Sequence, residues 1–441
     1  MLAFKALFWY CITESAKIHQ SRGPQGSGRK DSMSSTVEEG TRTAPWVRPR
    51  HRTVTRTALA LLDPIVRRKY GVEAEPFERF KDEPCLILYN HQTPCDQFFV
   101  AMSFRKPIYY LATEDIFSKG WISALLRWAV APIPFTKQTT DVSALAAMMK
   151  VAHEGGTIAI APEGNRTYSG KTEYMSPAIT FLVKRLRLPV VLYSIEGGYG
   201  VQPRWSNGIR KGRIRAYASR VIEPEEIVKL TNAQLFQVIQ DELYVNEAAA
   251  DARFISDTKA EYLERMAYIC PFCGLSRFES HGDEIRCLTC GKRVRYGEDK
   301  RLTGLDGDWP FAFVNDWYEY QKDYINYLDV RALCEMPVYE DRADVYEVIL
   351  YKRKELLDQG QTLRLYGDRI ALKGPAGERV MPFSQIQGMA LIGRNRLNVA
   401  WEGKTYQLRG DDRFNALKYM HFYHRFLNMS KGEPYGEFLG L

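Results

Sequence analysis

Cys85-Leu86-Ile87-Leu88-Tyr89-Asn90-His91-Gln92-Thr93-Pro94-Cys95-Asp96 is the stretch that decides how this chain is read. Its opening run, Cys85 to Tyr89, is apolar and uncharged, the mark of a short strand buried on both faces. Directly beyond it stand an imidazole and, across a Thr93-Pro94 turn, a carboxylate. A second stretch repeats the plan: the apolar run Thr157 to Ala161 leads into Pro162-Glu163-Gly164-Asn165-Arg166.

Around these two stretches, strand-like and helix-like segments alternate from Pro84 to about Val245. Pro107 to Ala112, Pro189 to Ile195 and Arg213 to Ala218 read as further strands. Gln97 to Phe104, Trp121 to Val130, Val142 to His153 and Ala178 to Leu186 carry helical periodicity. The fold class is therefore α/β, with a largely buried sheet flanked by helices. Met1 to Ile12 is apolar and aromatic but short, residues 13–51 are rich in Ser, Gly, Arg and Pro without apolar periodicity, and the segment 1–51 is read as disordered. Met33 offers an alternative start. The α/β domain is expected over 52–250 and opens with Val54, Ala58, Leu61, Leu62, Ile65 and Val66 at helical spacing among arginines. Asp63-Pro64 is expected to break that segment into a hairpin, with Asp63 capping a second helix. Such a basic amphipathic hairpin suits either an anionic lipid surface or the flank of its own domain.

The rest of the chain divides into a polar helical connector (251–267), a small cysteine module (268–297), an aromatic and acidic linker (298–340), a β-rich domain (341–430) and a tail (431–441). In the β-rich part, short strands are split by Tyr366-Gly367-Asp368, Lys373-Gly374-Pro375 and Glu402-Gly403-Lys404, and a helix follows over 413–427. Many strands closed by one terminal helix resembles the pleckstrin-homology (PH) or GRAM-like fold.

An alcohol barely ionises at neutral pH, so its attack on a thioester needs a base. His91 has the intrinsic pKa for that role, and Asp96 can accept the other ring N–H to fix the tautomer. Arg166 offers a planar fork to phosphate oxygens, and Gly164 permits a sharp turn close to a ligand. Glu163 can hold a hydroxyl or pin Arg166, and Lys137 adds a second cation. This set of groups suits transfer of an acyl group to a hydroxyl of a phosphate-bearing acceptor.

These blocks resemble the glycerolipid acyltransferase family typified by 1-acyl-glycerol-3-phosphate acyltransferase. Asn90-His91 through Asp96 matches the family's Asn-His-x4-Asp block, and Pro162 to Arg166 matches Phe-Pro-Glu-Gly-Thr-Arg. Leu188-Pro189-Val190-Val191 resembles its late Val-Pro-Val strand. The resemblance implies that His91 and Asp96 are catalytic. It also implies that Asn90, Lys137, Glu163, Gly164, Asn165 and Arg166 line the acceptor site, and that the donor is acyl-CoA or acyl-carrier protein. Ala161 and Asn165 depart from the family's usual Phe and Thr.

Cys270, Cys273, Cys287 and Cys290 form two Cys-x2-Cys knuckles, each followed by glycine. This spacing resembles a zinc ribbon, and four cysteines with no open position point to a structural zinc ion. Arg286, Lys292, Arg293 and Arg295 lie nearby, but no row of stacking aromatics accompanies them, so nucleic acid is not the expected partner.

The 441 residues exceed one core, and their 45% hydrophobic and 26% charged content is that of a folded protein. A net charge of +8 favours anionic partners. No stretch approaches the roughly 20 apolar residues of a spanning helix, so a cytoplasmic, peripheral-membrane protein is expected. The competing reading is a catalytically inactive adaptor that uses its ribbon and C-terminal domain for binding.

Overall fold

The computed structural model describes residues 45–135, 142–374, 377–436 and 438–440. Most of the segment read as disordered, and Lys137, lie outside the described residues. Folded structure begins before Arg52. The Trp46 indole donates to the Ala131 carbonyl at 2.8 Å, and the Val47 amide donates to the Glu154 carboxylate at 2.8 Å.

The first domain is built on β1 (Val72–Ala74), β2 (Leu86–Tyr89), β3 (Ile108–Thr113), β4 (Ile133–Phe135), β5 (Thr157–Ile160), β6 (Val190–Glu196) and β7 (Ile214–Ile222), in the order β1-β7-β6-β2-β5-β3-β4. Only β6 and β7 pair antiparallel. The strand period of two is visible in the packing. Ile87 and Tyr89 join one core with helices α1 (Pro49–Tyr70) and α2 (Asp96–Phe104). Leu86 and Leu88 face a second core. It is covered by helices whose bounds match their apolar periods: α4 (Val142–His153), α5 (Ala178–Leu186) and α6 (Asn232–Leu243). Between α2 and α4 runs α3 (Trp121–Val130), which packs against α1.

The expected hairpin at Asp63-Pro64 is absent. Pro49–Tyr70 is one continuous helix of 22 residues with Pro64 inside it. A proline in that position removes one backbone hydrogen bond. The uninterrupted buried stripe Leu59, Leu62, Val66 and Tyr70 holds the helix through the gap. Asp63, instead of capping a helix, accepts from Arg67 and, at 3.1 Å, from Arg105.

The connector is also not helical. Over 251–267 the only helical turn among the described residues is the 3-10 segment Leu263–Arg265. Apart from that turn and its flanks, the connector's backbone bonds outward: the Phe254 amide donates to Glu298, Ile255 bridges Lys211, and the Ala260 amide donates to Gly282. Buried Phe254, Ala260 and Met266 tie this irregular strap down, so no amphipathic helix was there to read.

The cysteine module pairs β8 (Ile269–Cys270) with β9 (Gly274–Leu275). Its second sheet consists of β10 (Phe278–His281), β11 (Glu284–Cys287), β12 (Arg293–Tyr296) and β13 (Leu302–Gly304). The linker is largely structured, its centre being helix α7 (Val314–Tyr327). The last domain is a curled antiparallel sheet of seven strands, PH-like in form. Its strands are β14 (Tyr339–Glu347), β15 (Glu355–Leu365), β16 (Arg369–Gly374), β17 (Gly377–Pro382), β18 (Gly388–Ile392), β19 (Arg396–Trp401) and β20 (Lys404–Arg409). It is closed by helix α8 (Leu417–Ser430).

Candidate active site and thiol cluster

Strands β2 and β5 run parallel with Leu88 opposite Ile160. His91 and Glu163 each stand three residues beyond a member of that pair. The two motifs therefore leave the sheet side by side at its carboxyl edge, where open α/β sheets hold ligands. Two hydrogen bonds stitch them together. The His91 amide donates to Glu163 Oε1 at 2.9 Å, and the Thr167 amide donates to the His91 carbonyl at 3.2 Å.

His91 Nδ1 lies 2.7 Å from Asp96 Oδ2. Asp96 is fully buried at the first turn of α2 and also accepts from the amides of Gln92 (2.7 Å) and Thr93 (3.0 Å) and from Thr93 Oγ1 (2.7 Å). These donors lock the direction of the carboxyl group. With Nδ1 donating to the carboxylate, Nε2 is the ring nitrogen that can accept a proton. The His91 side chain keeps 23% of its surface exposed, so the ring is supported yet accessible.

Asn90 is used up by the architecture. Its amide nitrogen donates to the Ile195 carbonyl at 2.8 Å, and its oxygen accepts from the Ile195 amide at 2.7 Å. Gln92 similarly accepts from the Tyr199 amide at 3.1 Å. Glu163 holds backbone on both sides, Oε1 taking His91 N and Oε2 taking Glu173 N at 2.9 Å. Burial pushes its carboxyl up to about 8. The Glu173 and His91 amides oppose that rise, while the charges of Glu173 and Asp96 add to it. Gly164 sits at φ +66° with nothing within 4 Å of where a Cβ would stand, so the loop tip faces open space. Asn165 and Arg166 are both buried, and the Arg166 carbonyl accepts from Arg204 at 2.7 Å. The structure thus brings His91, Asp96, Glu163, Gly164, Asn165 and Arg166 into one neighbourhood. Arg204 went unnoticed in the sequence, where Pro203-Arg204-Trp205 belongs to no motif.

Residues 71–196 match the family model described as Acyltransferase. Residues 71–196 form an acyltransferase-superfamily domain. In this family the chemistry is acyl transfer. The chain is 24% identical over 131 residues to the 1-acyl-sn-glycerol-3-phosphate acyltransferase BAT2, chloroplastic, of Brassica napus, over 29% of this chain and 37% of that one. It thus spans little more than a third of that relative. The crystal structure of the 1-acyl-sn-glycerophosphate (LPA) acyltransferase PlsC from Thermotoga maritima aligns at 18% identity and TM-score 0.36, over 44% of this chain and 75% of that one.

In the ribbon, Cys270, Cys273, Cys287 and Cys290 place their sulfurs within 4.8 Å of one another. Cys270 and Cys290 are 3.7 Å apart, and Cys273 and Cys287 are 3.6 Å apart. A tetrahedral ion with metal–sulfur bonds of about 2.3 Å spaces its sulfurs by about 3.8 Å, so the donor set has metal-binding geometry. The neighbouring cations are paired with acids, Arg286 with Glu279 (3.3 Å), Arg293 with Asp306 (2.9 Å) and Arg295 with Glu284 (3.3 Å).

Glu163 yields a pH test. Its folded value lies above the ordinary 4.5, so the folded state holds the extra proton. The stability this contributes is complete below about 4.5 and lost as pH rises through about 8. Unfolding by denaturant between roughly pH 6.5 and pH 8.5 should show stability falling more steeply in wild type than in Glu163→Gln. Glu163→Gln should itself cost about 1–3 kcal/mol, because an NH2 group would then face a backbone N–H. Parallel pH profiles for the two proteins would remove Glu163 as the source.

Proposed function

We propose that this protein is an O-acyltransferase that moves a fatty acyl group from acyl-CoA or acyl-carrier protein to a hydroxyl of a lysophospholipid or glycerol phosphate. The observation that carries the reading is the His91–Asp96 pair stitched to the Glu163–Arg166 loop. His91 Nε2 takes the hydroxyl proton as the acceptor oxygen attacks the thioester carbonyl. The tetrahedral oxyanion then collapses, the C–S bond breaks, and the departing thiolate receives the proton from the imidazolium, leaving ester and free thiol. Asp96 stabilises the transient imidazolium. Arg166 provides the cation for the acceptor's phosphate, and the open space beyond Gly164 is room for it. Free-thiol release from acyl-CoA should depend on lysophosphatidate, and His91→Ala should lower it by about 10²- to 10⁴-fold. Undiminished turnover in His91→Ala would sink the assignment.

The adaptor reading draws on the length of chain beyond the enzyme-like span. It gives no reason for Asp96 to be buried behind an accessible imidazole.

The four thiols suit a structural zinc ion, since all four coordination positions come from the protein. The purified protein should carry about one zinc per chain, and a strong chelator should melt the ribbon. Metal-free protein with unchanged near-ultraviolet circular dichroism would exclude that role.

We place the site at an anionic membrane surface. No helix among the described residues is long and apolar enough to cross a membrane. The packed helices α1 and α3 leave Leu61, Ile65, Trp121 and Trp128 exposed, and Arg52, Arg56 and Arg68 are exposed on α1. Aromatic and aliphatic side chains amid arginines match an anionic interface. Because α1 is part of the core, the test uses point changes. Trp121→Ala with Trp128→Ala should weaken flotation with phosphatidylglycerol vesicles about tenfold or more; binding equal to wild type would refute this docking face.

A further inference from the structure

The C-terminal β domain reaches the Glu163–Arg166 loop through the buried Arg204 side chain. Arg204 is 1% exposed and lies between the two domains. On one side its guanidinium donates to the Arg166 carbonyl at 2.7 Å and to Asn165 Oδ1 at 3.4 Å. On the other, Nε donates to the Gly393 carbonyl at 2.8 Å, in the β18–β19 turn, and Nη2 to the Leu391 carbonyl at 3.5 Å, near the end of β18. Its plane stacks 4.4 Å from the Tyr168 ring centroid. Tyr168 in turn donates its hydroxyl to the Arg394 carbonyl of the same turn. The last residues of the Glu163–Arg166 motif therefore hang from the turn of another domain, more than 180 residues away in sequence.

A second clamp grips the segment after β3. Asp115 is buried and meets Lys354, Gln407 (3.2 Å) and Arg396 (3.4 Å), all from the β domain. Ser118 donates to the Ile349 carbonyl at 3.2 Å, and Arg127 lies over Tyr351. Burial alone would raise the Asp115 carboxyl; Arg396, Lys354 and Lys119 outweigh it and hold it well below the usual carboxylate range.

We propose that the β18–β19 turn of the PH-like domain is a working wall of the acyltransferase site, with Arg204 as the positioning residue that fixes the Asn165–Arg166 backbone for the acceptor. A planar fork is required, because only guanidinium can serve carbonyls on opposite sides while stacking on a ring. Lysine keeps the charge and loses the fork. The domain thereby acts on acceptor binding rather than on the thioester, since its carbonyls hold the guanidinium that fixes the Asn165–Arg166 backbone. The kinetic half of this inference rests on the acceptor assignment made above.

Arg204→Lys and Tyr168→Phe test it in the full chain; the second removes only the hydroxyl that reaches Arg394 and covers a failure of the first to fold. Backbone hydrogen exchange over residues 161–170 should quicken about tenfold, while β2 and β6 stay protected. KM for lysophosphatidate should rise about tenfold, with KM for acyl-CoA and kcat held within about twofold. Unaltered exchange at 161–170 in both variants, or equal increases in the two KM values, would overturn the proposal. Should wild type leave lysophosphatidate unacylated, the acceptor assignment falls and the exchange result alone decides the role of Arg204.

Discussion

The parallel pairing of β2 with β5 is the constraint on which the site depends. Leu88 opposite Ile160 sets His91 beside Glu163, because equal chain lengths lead from the pair to each residue. The strand period allows no compromise. A one-residue slip would turn Leu86 and Leu88 out of one core and exchange them for Ile87 and Tyr89. Both faces of β2 are buried, so apolar packing pays for the register, and the polar loop chemistry inherits it. His91 and Asp96 can find one another locally, across five residues. The link to the Glu163–Arg166 loop cannot form without the sheet.

Within that frame, most polar groups of the two motifs bind protein. Asn90 spans to β6, Gln92 holds the Tyr199 amide, and Glu163 clasps the backbone of His91 and Glu173. Each satisfies buried amides whose loss would cost about 1–3 kcal/mol. Asp96 and Glu163 show how two carboxylates in one site acquire opposite tasks. Asp96 is wrapped by donors from its own turn and serves the imidazole. Glu163 has two amides, a second buried carboxyl nearby and a strong pull toward the protonated state. A group so engaged works as a clasp for the backbone that presents its neighbours.

What could be read from the sequence follows how local each signal is. Helices over Trp121–Val130, Val142–His153 and Ala178–Leu186 carry their bounds in their own apolar period, and the structure returns them unchanged. The strand runs at β2, β5 and β6 were equally plain. Three-residue strands β1 and β4 have too few positions to show a period. Pro64 misled because its rule concerns isolated helices, whereas the α1 stripe Leu59, Leu62, Val66 and Tyr70 is held by partners elsewhere. The connector misled for the same reason, being polar in sequence yet pinned by contacts to Gly282 and Glu298. The His91–Asp96 contact and the clustering of the four cysteines were legible because their partners lie close together in sequence. Arg204 and Asp115 were not, since their partners come from the other end of the chain.

Those distant partners bear on what the C-terminal half is for. Tyr168 and Trp205, both from the acyltransferase domain, belong to the same hydrophobic core as the ribbon, α7, the curled sheet and α8. Arg265 extends the seam by donating to the Trp205 carbonyl at 2.7 Å and to the Asp412 carbonyl at 2.6 Å. Buried cations are poor sources of stability, because desolvation offsets most of what pairing returns. Their use here is directional: each guanidinium accepts only one arrangement of carbonyls, so the domains can meet in one way. An appended module would join through a linker and a wet surface. This seam is buried, aromatic and threaded by the residues that hold the Glu163–Arg166 loop. Cutting the chain after the acyltransferase domain would leave the Arg204 donors without the carbonyls of Leu391 and Gly393 and expose Tyr168 and Trp205 together.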